Sequence, residues 1–126
     1  MSVETRGRVL VVDDEPDAAL SLTTLLSLHG YSARASHDGH TALALAEKLR
    51  PTACALDIMM PGMDGYELAK WLRALLGPGV VLVAVTGRSG DEFARLAVLS
   101  GFDWMFKKPA DPDDLLTALA SATHDT

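Results

Sequence analysis

The sequence predicts an α/β fold, in which a doubly wound, five-stranded parallel sheet carries helices on both faces. Short apolar runs alternate with helical patterns along the chain. The run Val80–Val85 is apolar at every position, which is typical of a strand buried on both sides. Sharp breaks such as Gly77-Pro78-Gly79 separate the segments.

The first half of the chain alternates strand, helix, strand, helix and strand. Strands are predicted at Arg8–Val12, Tyr31–Ser36 and Thr52–Leu56, with helices between Pro16 and Gly30 and at Asp38–Leu49. A proline in the first turn of a helix and a glycine after its last turn are the usual signals of its two ends.

The second half repeats this alternation and completes the sheet. Helices are predicted at Asp64–Leu76, at Glu92–Ser100 and after the capping residue Asp111, with strands at Val80–Val85 and Phe102–Phe106. Right-handed crossovers predict the strand order 2-1-3-4-5, the flavodoxin-like arrangement. Strands 1 and 3 are then neighbours at the topological switch point, where ligands bind at the carboxyl ends of strands.

Length, charge and cysteine content limit the class of protein. The 126 residues predict a single domain, residues 1–126, with its core at about 7–123. The net charge of −6 argues against direct binding to nucleic acid or an anionic membrane and favours a cation as ligand. Cys54 is the one cysteine and is predicted to be a buried, unreactive thiol. Without an apolar run of membrane-spanning length, a cytoplasmic location is expected.

Charged and polar residues end four of the five predicted strands. Strand 1 ends in Asp13-Asp14-Glu15, strand 3 in Asp57, strand 4 in Thr86 and strand 5 in Lys107-Lys108-Pro109. These residues are expected to converge, because the carboxyl ends of parallel strands share one edge of the sheet. Two carboxylates about 4 Å apart repel by about 4 kcal/mol at an effective dielectric constant of 20, which a divalent cation such as Mg²⁺ (or Mn²⁺) relieves. A carboxylate beside a cation, an ammonium and a hydroxyl is suited to accept a phosphoryl group.

Each of these residues also has an ordinary structural interpretation. Asp13-Asp14 could cap the first helix, and Asp57 could be a turn residue before a Pro-Gly loop. Thr86-Gly87 is a common turn, and Lys107-Lys108 could be a solvated pair. The functional hypothesis therefore depends on the four strand ends together.

Four segments resemble the receiver domain of two-component response regulators. They are Val11-Val12-Asp13-Asp14-Glu15, Leu56-Asp57-Ile58-Met59-Met60-Pro61-Gly62-Met63-Asp64-Gly65, Thr86-Gly87 and Lys108-Pro109. They occur in the family's order and at its spacing, and the resemblance covers essentially the whole chain. It implies a single receiver domain that is phosphorylated with Mg²⁺ and switches conformation to control a partner or output domain.

The resemblance implies which residues handle the phosphoryl group. Asp57 is implied to be the phosphoacceptor. The Lys108 and Thr86 side chains are implied to bind phosphoryl oxygens, helped by the backbone N–H groups of Met59 and Gly87. The phosphoryl group is implied to come from a phosphohistidine of a sensor histidine kinase or histidine phosphotransfer protein.

The resemblance also implies a metal site and a proline geometry. The metal ligands would be the carboxylates of Asp14, Asp57 and, largely through water, Asp13, together with the Met59 carbonyl. The Lys108-Pro109 bond would be cis, a form almost confined to bonds before proline. Hydrolysis of the acyl phosphate would reset the domain, so no enzyme activity on a separate substrate is expected.

One position departs from the family pattern. The family usually has an aromatic residue three positions before the strand-5 lysine, where this chain has Met105. Phe106 and Trp104 cannot replace it, because neighbouring strand positions face opposite sides. The switch is therefore expected to couple Thr86 to a more mobile Met105, or to use another surface. The family's usual partner or homodimer surface is the face made by helix 4, strand 5 and helix 5.

Three other functions fit parts of the pattern. A flavodoxin-type nucleotide or flavin module shares the architecture, but the acids of residues 13–17 would repel a phosphate. An aspartate phosphatase would want a second acid two residues after its nucleophile, where this chain has Met59. A degenerate receiver used only as a scaffold would lack a charged site residue, and none is missing here.

Three residues outside the predicted site are given structural roles. Trp71, in the third helix, is predicted to be a core or half-buried packing residue. His37 and His40 straddle the start of the second helix and are predicted to be surface residues rather than zinc ligands.

Overall fold

The computed structural model describes residues 6–88 and 90–122, in which five strands alternate with five helices. The strands are β1 (Arg8–Val12), β2 (Ser32–Ser36), β3 (Ala53–Asp57), β4 (Val81–Thr86) and β5 (Trp104–Lys107). The helices are α1 (Pro16–Leu28), α2 (Gly39–Leu49), α3 (Gly65–Leu76), α4 (Asp91–Ser100) and α5 (Pro112–Ala120). Residue 123, the predicted end of the core, lies outside the described residues.

All strand pairs in the sheet are parallel, and the order is β2-β1-β3-β4-β5, which confirms the predicted topology. The register aligns Val12 of β1 with Leu56 of β3, so Asp13 and Asp57 follow at neighbouring strand ends. None of the described helices has the length and apolar character needed to cross a membrane.

Helix starts follow the capping signals of the sequence. Asp38, Asp64 and Asp111 each accept a backbone N–H from the first turn of the helix that they precede. The first two are caps, not first helical residues as predicted. Pro16 and Pro112 occupy the first turns of α1 and α5, where a missing N–H has no cost.

The sheet separates two apolar cores, one on each face. Helices α2, α3 and α4 cover the first face, whose largest buried residues are Leu10, Leu56, Ile58, Leu68, Leu72 and Leu82. Helices α1 and α5 cover the second face, around Val9, Val11, Leu26, Val83, Leu115 and Leu119. Both faces of the central strands are buried, which explains why β1, β3 and β4 are nearly continuous apolar runs.

Several strand boundaries differ by one or two residues from the prediction. β3 and β4 extend to Asp57 and Thr86, so these polar residues are the last of their strands. β5 begins at Trp104, not Phe102, because the Phe102 N–H donates to the Ala97 carbonyl and closes α4 instead.

Some of the residues with predicted structural roles lie where the sequence predicts, and one does not. Cys54 is fully buried, and His37 and His40 are exposed, as predicted. The prediction for Trp71 is wrong, since its side chain is 56% exposed. Leu68, Ala69 and Leu72 already fill the inner face of α3, which leaves the indole on the outer face.

Candidate functional site

Three carboxylates converge at the carboxyl edge of the sheet. Asp13 and Asp14 follow β1, and Asp57 ends β3. One carboxylate oxygen from each lies within 4.8 Å of the others. Asp13 and Asp57 are each only 7% exposed, whereas Asp14 lies on the surface. The strand order therefore brings together acids that are more than 40 residues apart, as the sequence predicts.

The ammonium of Lys108 faces this group from the end of β5. Its Nζ lies 3.1 Å from Asp13 Oδ2 and 3.6 Å from Asp57 Oδ2. Burial lowers the pKa of Lys108, but the hydrogen bond to Asp13 and the charges of Asp57 and Asp13 outweigh it. The net pKa therefore lies above its usual value, and Lys108 is fully charged at neutral pH.

Backbone groups fix the two buried carboxylates. Asp13 Oδ1 accepts the Glu15 N–H at 2.9 Å, and the Asp13 N–H donates to the Ser36 carbonyl at 3.1 Å. Asp57 Oδ1 accepts the Met59 N–H at 3.3 Å. Each of these carboxylates thus has one oxygen held by a backbone amide and the other directed towards Lys108.

The ionised form of Asp57 is destabilised by its surroundings. Burial raises the pKa of Asp57 above the usual value of 3.8, and Lys108 opposes that increase. The charges of Asp13 and Asp14 raise the pKa further, while the Met59 N–H lowers it. Three acids and one ammonium leave a surplus of negative charge, so a cation at this edge would be stabilised.

The remaining predicted site residues lie around the same edge. Thr86 is 1% exposed, and its Oγ1 accepts the Arg88 N–H at 3.2 Å. Gly87 follows it in an exposed loop, and the Met59 side chain is 50% exposed beside Asp57. The Lys108 N–H donates to the Thr86 carbonyl at 2.7 Å, which ties the ends of β4 and β5 together.

The peptide bond between Lys108 and Pro109 is cis, as the resemblance implies. It lies directly after β5, between the strand and the loop that leads to α5. Lys107 is exposed, so of the two neighbouring lysines only Lys108 is placed at the acids.

Gly65 has a role at the site that the sequence analysis did not assign. A Cβ on Gly65 would lie 2.5 Å from the Asp57 carbonyl oxygen and 2.7 Å from the Ile58 Cα. The Gly65 N–H also donates to the Ile58 carbonyl at 2.8 Å. Only glycine lets α3 begin in contact with the backbone of Asp57. The signal was present in the sequence as Asp64-Gly65.

The two faces of β5 bear out the expected alternation around Met105. Met105 is half-buried against the core under α2, α3 and α4, whereas Phe106 packs on the opposite face. Trp104 shares the face of Phe106, with ring centroids 6.2 Å apart. Neither aromatic ring can therefore take the place of Met105 on the side of β4 that carries Thr86.

The donor set fits a hard divalent cation. The three carboxylates offer oxygen ligands at one point of the edge, without histidine or sulfur among them. Oxygen-only coordination suits Mg²⁺ better than zinc or copper. The acidic surplus favours the binding of a cation at this edge.

The chain matches known proteins over nearly its whole length. The family model of the response regulator receiver domain matches residues 9–120. The DNA-binding response regulator MtrA of Mycolicibacterium smegmatis is 38% identical over 111 residues, which are 88% of this chain and 48% of that protein. The response regulator MprA of Mycobacterium avium is 34% identical over 94% of this chain and 52% of that protein. The chain thus spans about half the length of these relatives.

Solved structures agree with these matches. The chemotaxis protein CheY4 of Vibrio cholerae superposes with a TM-score of 0.85 at 28% identity, over 92% of this chain and 98% of that one. A CheY-like receiver domain protein from Methanospirillum hungatei gives a TM-score of 0.81 at 31% identity, over 87% of both chains. This chain belongs to the response regulator receiver domain family of two-component signalling systems.

Proposed function

We propose that the domain accepts a phosphoryl group on Asp57 from a phosphohistidine of a sensor histidine kinase or histidine phosphotransfer protein. The observation that carries this proposal is the position of Asp57. Its carboxylate lies among two further acids and the ammonium of Lys108, at the edge of the sheet where ligands bind.

The transfer needs a nucleophile and groups that take up developing charge. An Asp57 carboxylate oxygen forms a bond to phosphorus as the bond from phosphorus to the histidine nitrogen breaks. The imidazole leaves with the bonding electrons. Lys108, which is 3.6 Å from Asp57 Oδ2, can shift from the acid to the phosphoryl oxygens, and the Met59 N–H lies at the other carboxylate oxygen, Oδ1.

A divalent cation belongs to this proposal. Mg²⁺ (or Mn²⁺) would be held by the carboxylates of Asp13, Asp14 and Asp57 and by the Met59 carbonyl. When bound, it supplies positive charge that offsets the phosphoryl oxygens and the crowded acids. The chain's own residues orient the acceptor, since backbone N–H groups already hold Asp13 and Asp57 in place.

The switch is proposed to start at Thr86. Its hydroxyl is the acceptor of the Arg88 N–H, so a new bond from the hydroxyl to a phosphoryl oxygen would reorganise the loop before α4. The guanidinium of Arg88 lies 5.9 Å from the Phe93 ring, and the Phe93 carbonyl accepts the Tyr66 hydroxyl at 3.4 Å. A movement of this loop would therefore also displace residues of α4.

The output is proposed to use the face formed by α4, β5 and α5. Exposed apolar side chains on or near it include Leu96, Val98, Leu99 and Trp104. One relative is described as a DNA-binding response regulator about twice as long as the matched region. By analogy, a phosphorylated receiver of this kind would act through homodimerisation or an output domain, not by touching nucleic acid itself.

We also propose that the domain is not an enzyme with a separate substrate. Its chemistry would be phosphoryl acceptance and slow self-hydrolysis. An aspartate phosphatase would need an acid two residues after its nucleophile, and Met59 occupies that position with an exposed side chain. A cytoplasmic location, where such kinases deliver the phosphoryl group, stays a prediction.

The deciding experiment uses acetyl phosphate with Mg²⁺, and intact mass spectrometry measures the product. We expect one phosphoryl group on the native chain, and none on Asp57→Asn or after chelation of the metal. A matched control is Asp91→Asn, an exposed acid in the first turn of α4, which should be phosphorylated normally. Phosphorylation that persists in Asp57→Asn would mean a different acceptor, and none in the native chain would favour a scaffold.

A further inference from the structure

A cavity of about 500 Å³ lies between the second face of the sheet and the helices α1 and α5. Its walls are apolar and come from Val11, Ala55, Val85, Leu22, Leu25 and Leu115. Such a volume falls within the range of roughly 300–1,000 Å³ that small-molecule sites occupy.

Small side chains keep this space open. Ala55 is central in β3 and almost fully buried, yet it contributes only a methyl group to the cavity wall. Ala18 and Ser21 line the cavity on α1 and are exposed, so the opening lies beside that helix. Ala110, just before α5, is a further small residue of the lining. A longer side chain at any of these positions would reduce the volume.

One end of the cavity is polar and acidic. Asp13, Asp57 and Lys108 belong to its lining, so the apolar space runs directly into the carboxylate cluster. Two acids and one ammonium leave one negative charge at this end, and the adjoining Asp14 adds another. A ligand that spans the cavity therefore needs an apolar body and a positively charged head.

We propose that this cavity binds small amphipathic cations, in which a primary ammonium group lies at the acids and an aryl or alkyl body fills the space between α1 and α5. The charge balance disfavours a carboxylate or phosphate head, because either would add to the negative surplus. A neutral apolar molecule would leave the acids uncompensated. The concave shape favours a small molecule over a flat protein surface, which generally buries about 800 Å² on each partner.

The proposal has a regulatory consequence, which rests on the proposed function of Asp57. A bound ammonium would occupy the position of the divalent cation and pair with the phosphoacceptor. Ligand and metal would then compete, and the ligand would hold the domain in its unphosphorylated state. Binding itself does not depend on whether Asp57 is ever phosphorylated.

Binding is tested with three probes on the full 126-residue chain, without metal or phosphodonor. We expect 2-phenylethylammonium to shift the methyl NMR resonances of Leu22, Leu25 and Leu115. Its neutral analogue 2-phenylethanol should bind at least about tenfold more weakly, which corresponds to about 1.4 kcal/mol. Methylammonium, which has no apolar body, should give no methyl shifts. Equal affinity for the alcohol and the amine would overturn the cationic assignment.

Two further experiments test the site: competition between the amine and Mg²⁺, and a variant whose larger side chain fills the opening of the cavity. Saturating Mg²⁺ should weaken amine binding, and unchanged affinity would overturn the position of the head group. Ser21→Phe should close the opening and abolish binding, whereas the control Thr24→Phe, exposed on the same helix, should leave it unchanged. Both variants should keep the far-UV circular dichroism spectrum of the native chain, which shows that they are folded.

The outcomes separate this inference from the proposed function. Amine binding without phosphorylation of the native chain would uphold the site and remove only its regulatory consequence. Phosphorylation without binding of any probe would overturn the ligand site. The cavity would then be better explained as a socket for an apolar side chain of a protein partner.

Discussion

Each end of the sheet places a cation among oxygen atoms, but the balance of charge differs between the two ends. At the amino end, the Arg73 guanidinium donates to the carbonyls of Val80 and Gly101 and to the Asp103 carboxylate. Asp103 in turn accepts the Leu82 N–H at 2.9 Å. The Arg73 guanidinium thus donates hydrogen bonds to one carboxylate and to several backbone carbonyls.

At the carboxyl end, the charges do not balance. Lys108 faces Asp13 and Asp57 while Asp14 adds a third acid, so negative charge exceeds positive charge. The charges around Arg73 and Asp103 therefore balance, whereas a cation bound at the carboxyl end would offset the surplus there. The locally unfavourable arrangement of charges thus lies at the edge of the sheet where ligands bind in this type of fold.

The largest expected effect is at the amino end. Arg73→Met should lower the free energy of unfolding by about 3 kcal/mol, because the half-buried carbonyls of Val80 and Gly101 lose a charged donor, while the exposed Asp103 keeps the Leu82 N–H. Urea denaturation followed by circular dichroism measures this loss. Arg95→Met, an exposed change in α4, should stay within about 0.5 kcal/mol. Equal effects of the two variants would mean that the Arg73 contacts contribute little to stability.

At the carboxyl end, the main loss should be in rate and not in stability. Lys108→Met should slow phosphorylation by acetyl phosphate on the order of a hundredfold, because the developing charge loses a donor. Lys107→Met is the matched control, since that exposed neighbour lies away from the acids, and its rate should be unchanged. Time courses by intact mass give both rates. A normal rate in Lys108→Met would contradict the role proposed for the ammonium.

Cys54, on β3 between the two ends, gives a pH prediction. Burial raises the pKa of Cys54 from 9.0 to about 12, and the positive charge of Arg73 opposes this. Both states carry a neutral thiol below pH 9.0. Between pH 9.0 and about 12 only the unfolded chain ionises, so stability should fall with pH by up to about 1.4 kcal/mol per pH unit. Cys54→Ala should remove this part of the slope in alkaline urea titrations, and an unchanged slope would exclude Cys54 as its source.

The smallest effect tests the charge surplus itself. Asp14→Asn should raise the free energy of unfolding of the metal-free chain by less than about 1 kcal/mol, because it removes an exposed charge that repels the buried carboxylates of Asp13 and Asp57. The same variant should lose most of the stabilisation that Mg²⁺ gives the native chain. Thermal melts with and without MgCl₂ measure both quantities. A full Mg²⁺ effect in Asp14→Asn would show that the metal does not use this acid.

The sequence predicts the carboxyl end far better than the amino end. Asp57 and Thr86 end their strands, Asp13 and Lys108 directly follow theirs, and parallel topology alone brings strand ends together. The Arg73 contacts have no comparable pattern, because most of the acceptors are backbone carbonyls that any residue supplies.

Some details of the packing could not be predicted from the sequence, for two physical reasons. The exposed position of Trp71 and the cavity beside Ala55 depend on how helices pack on the sheet, which the order of elements does not determine. Gly65 belongs to a motif that can be recognised in the sequence. Its contact with the Asp57 backbone, however, depends on the three-dimensional path of the loop between β3 and α3.

The fluorescence of the two exposed tryptophans can report on changes at the surface of the molecule. Trp71 lies on the outer face of α3, and Trp104, 41% exposed, starts β5 and stacks on Phe106. Both indoles contact solvent, Trp71 beside α2 and Trp104 at the start of β5, and neither belongs to the residues around the carboxylates. Their emission should therefore change little when a cation binds at the acids. Quenching or a blue shift of Trp104 alone would instead report that another surface has covered the β5 edge.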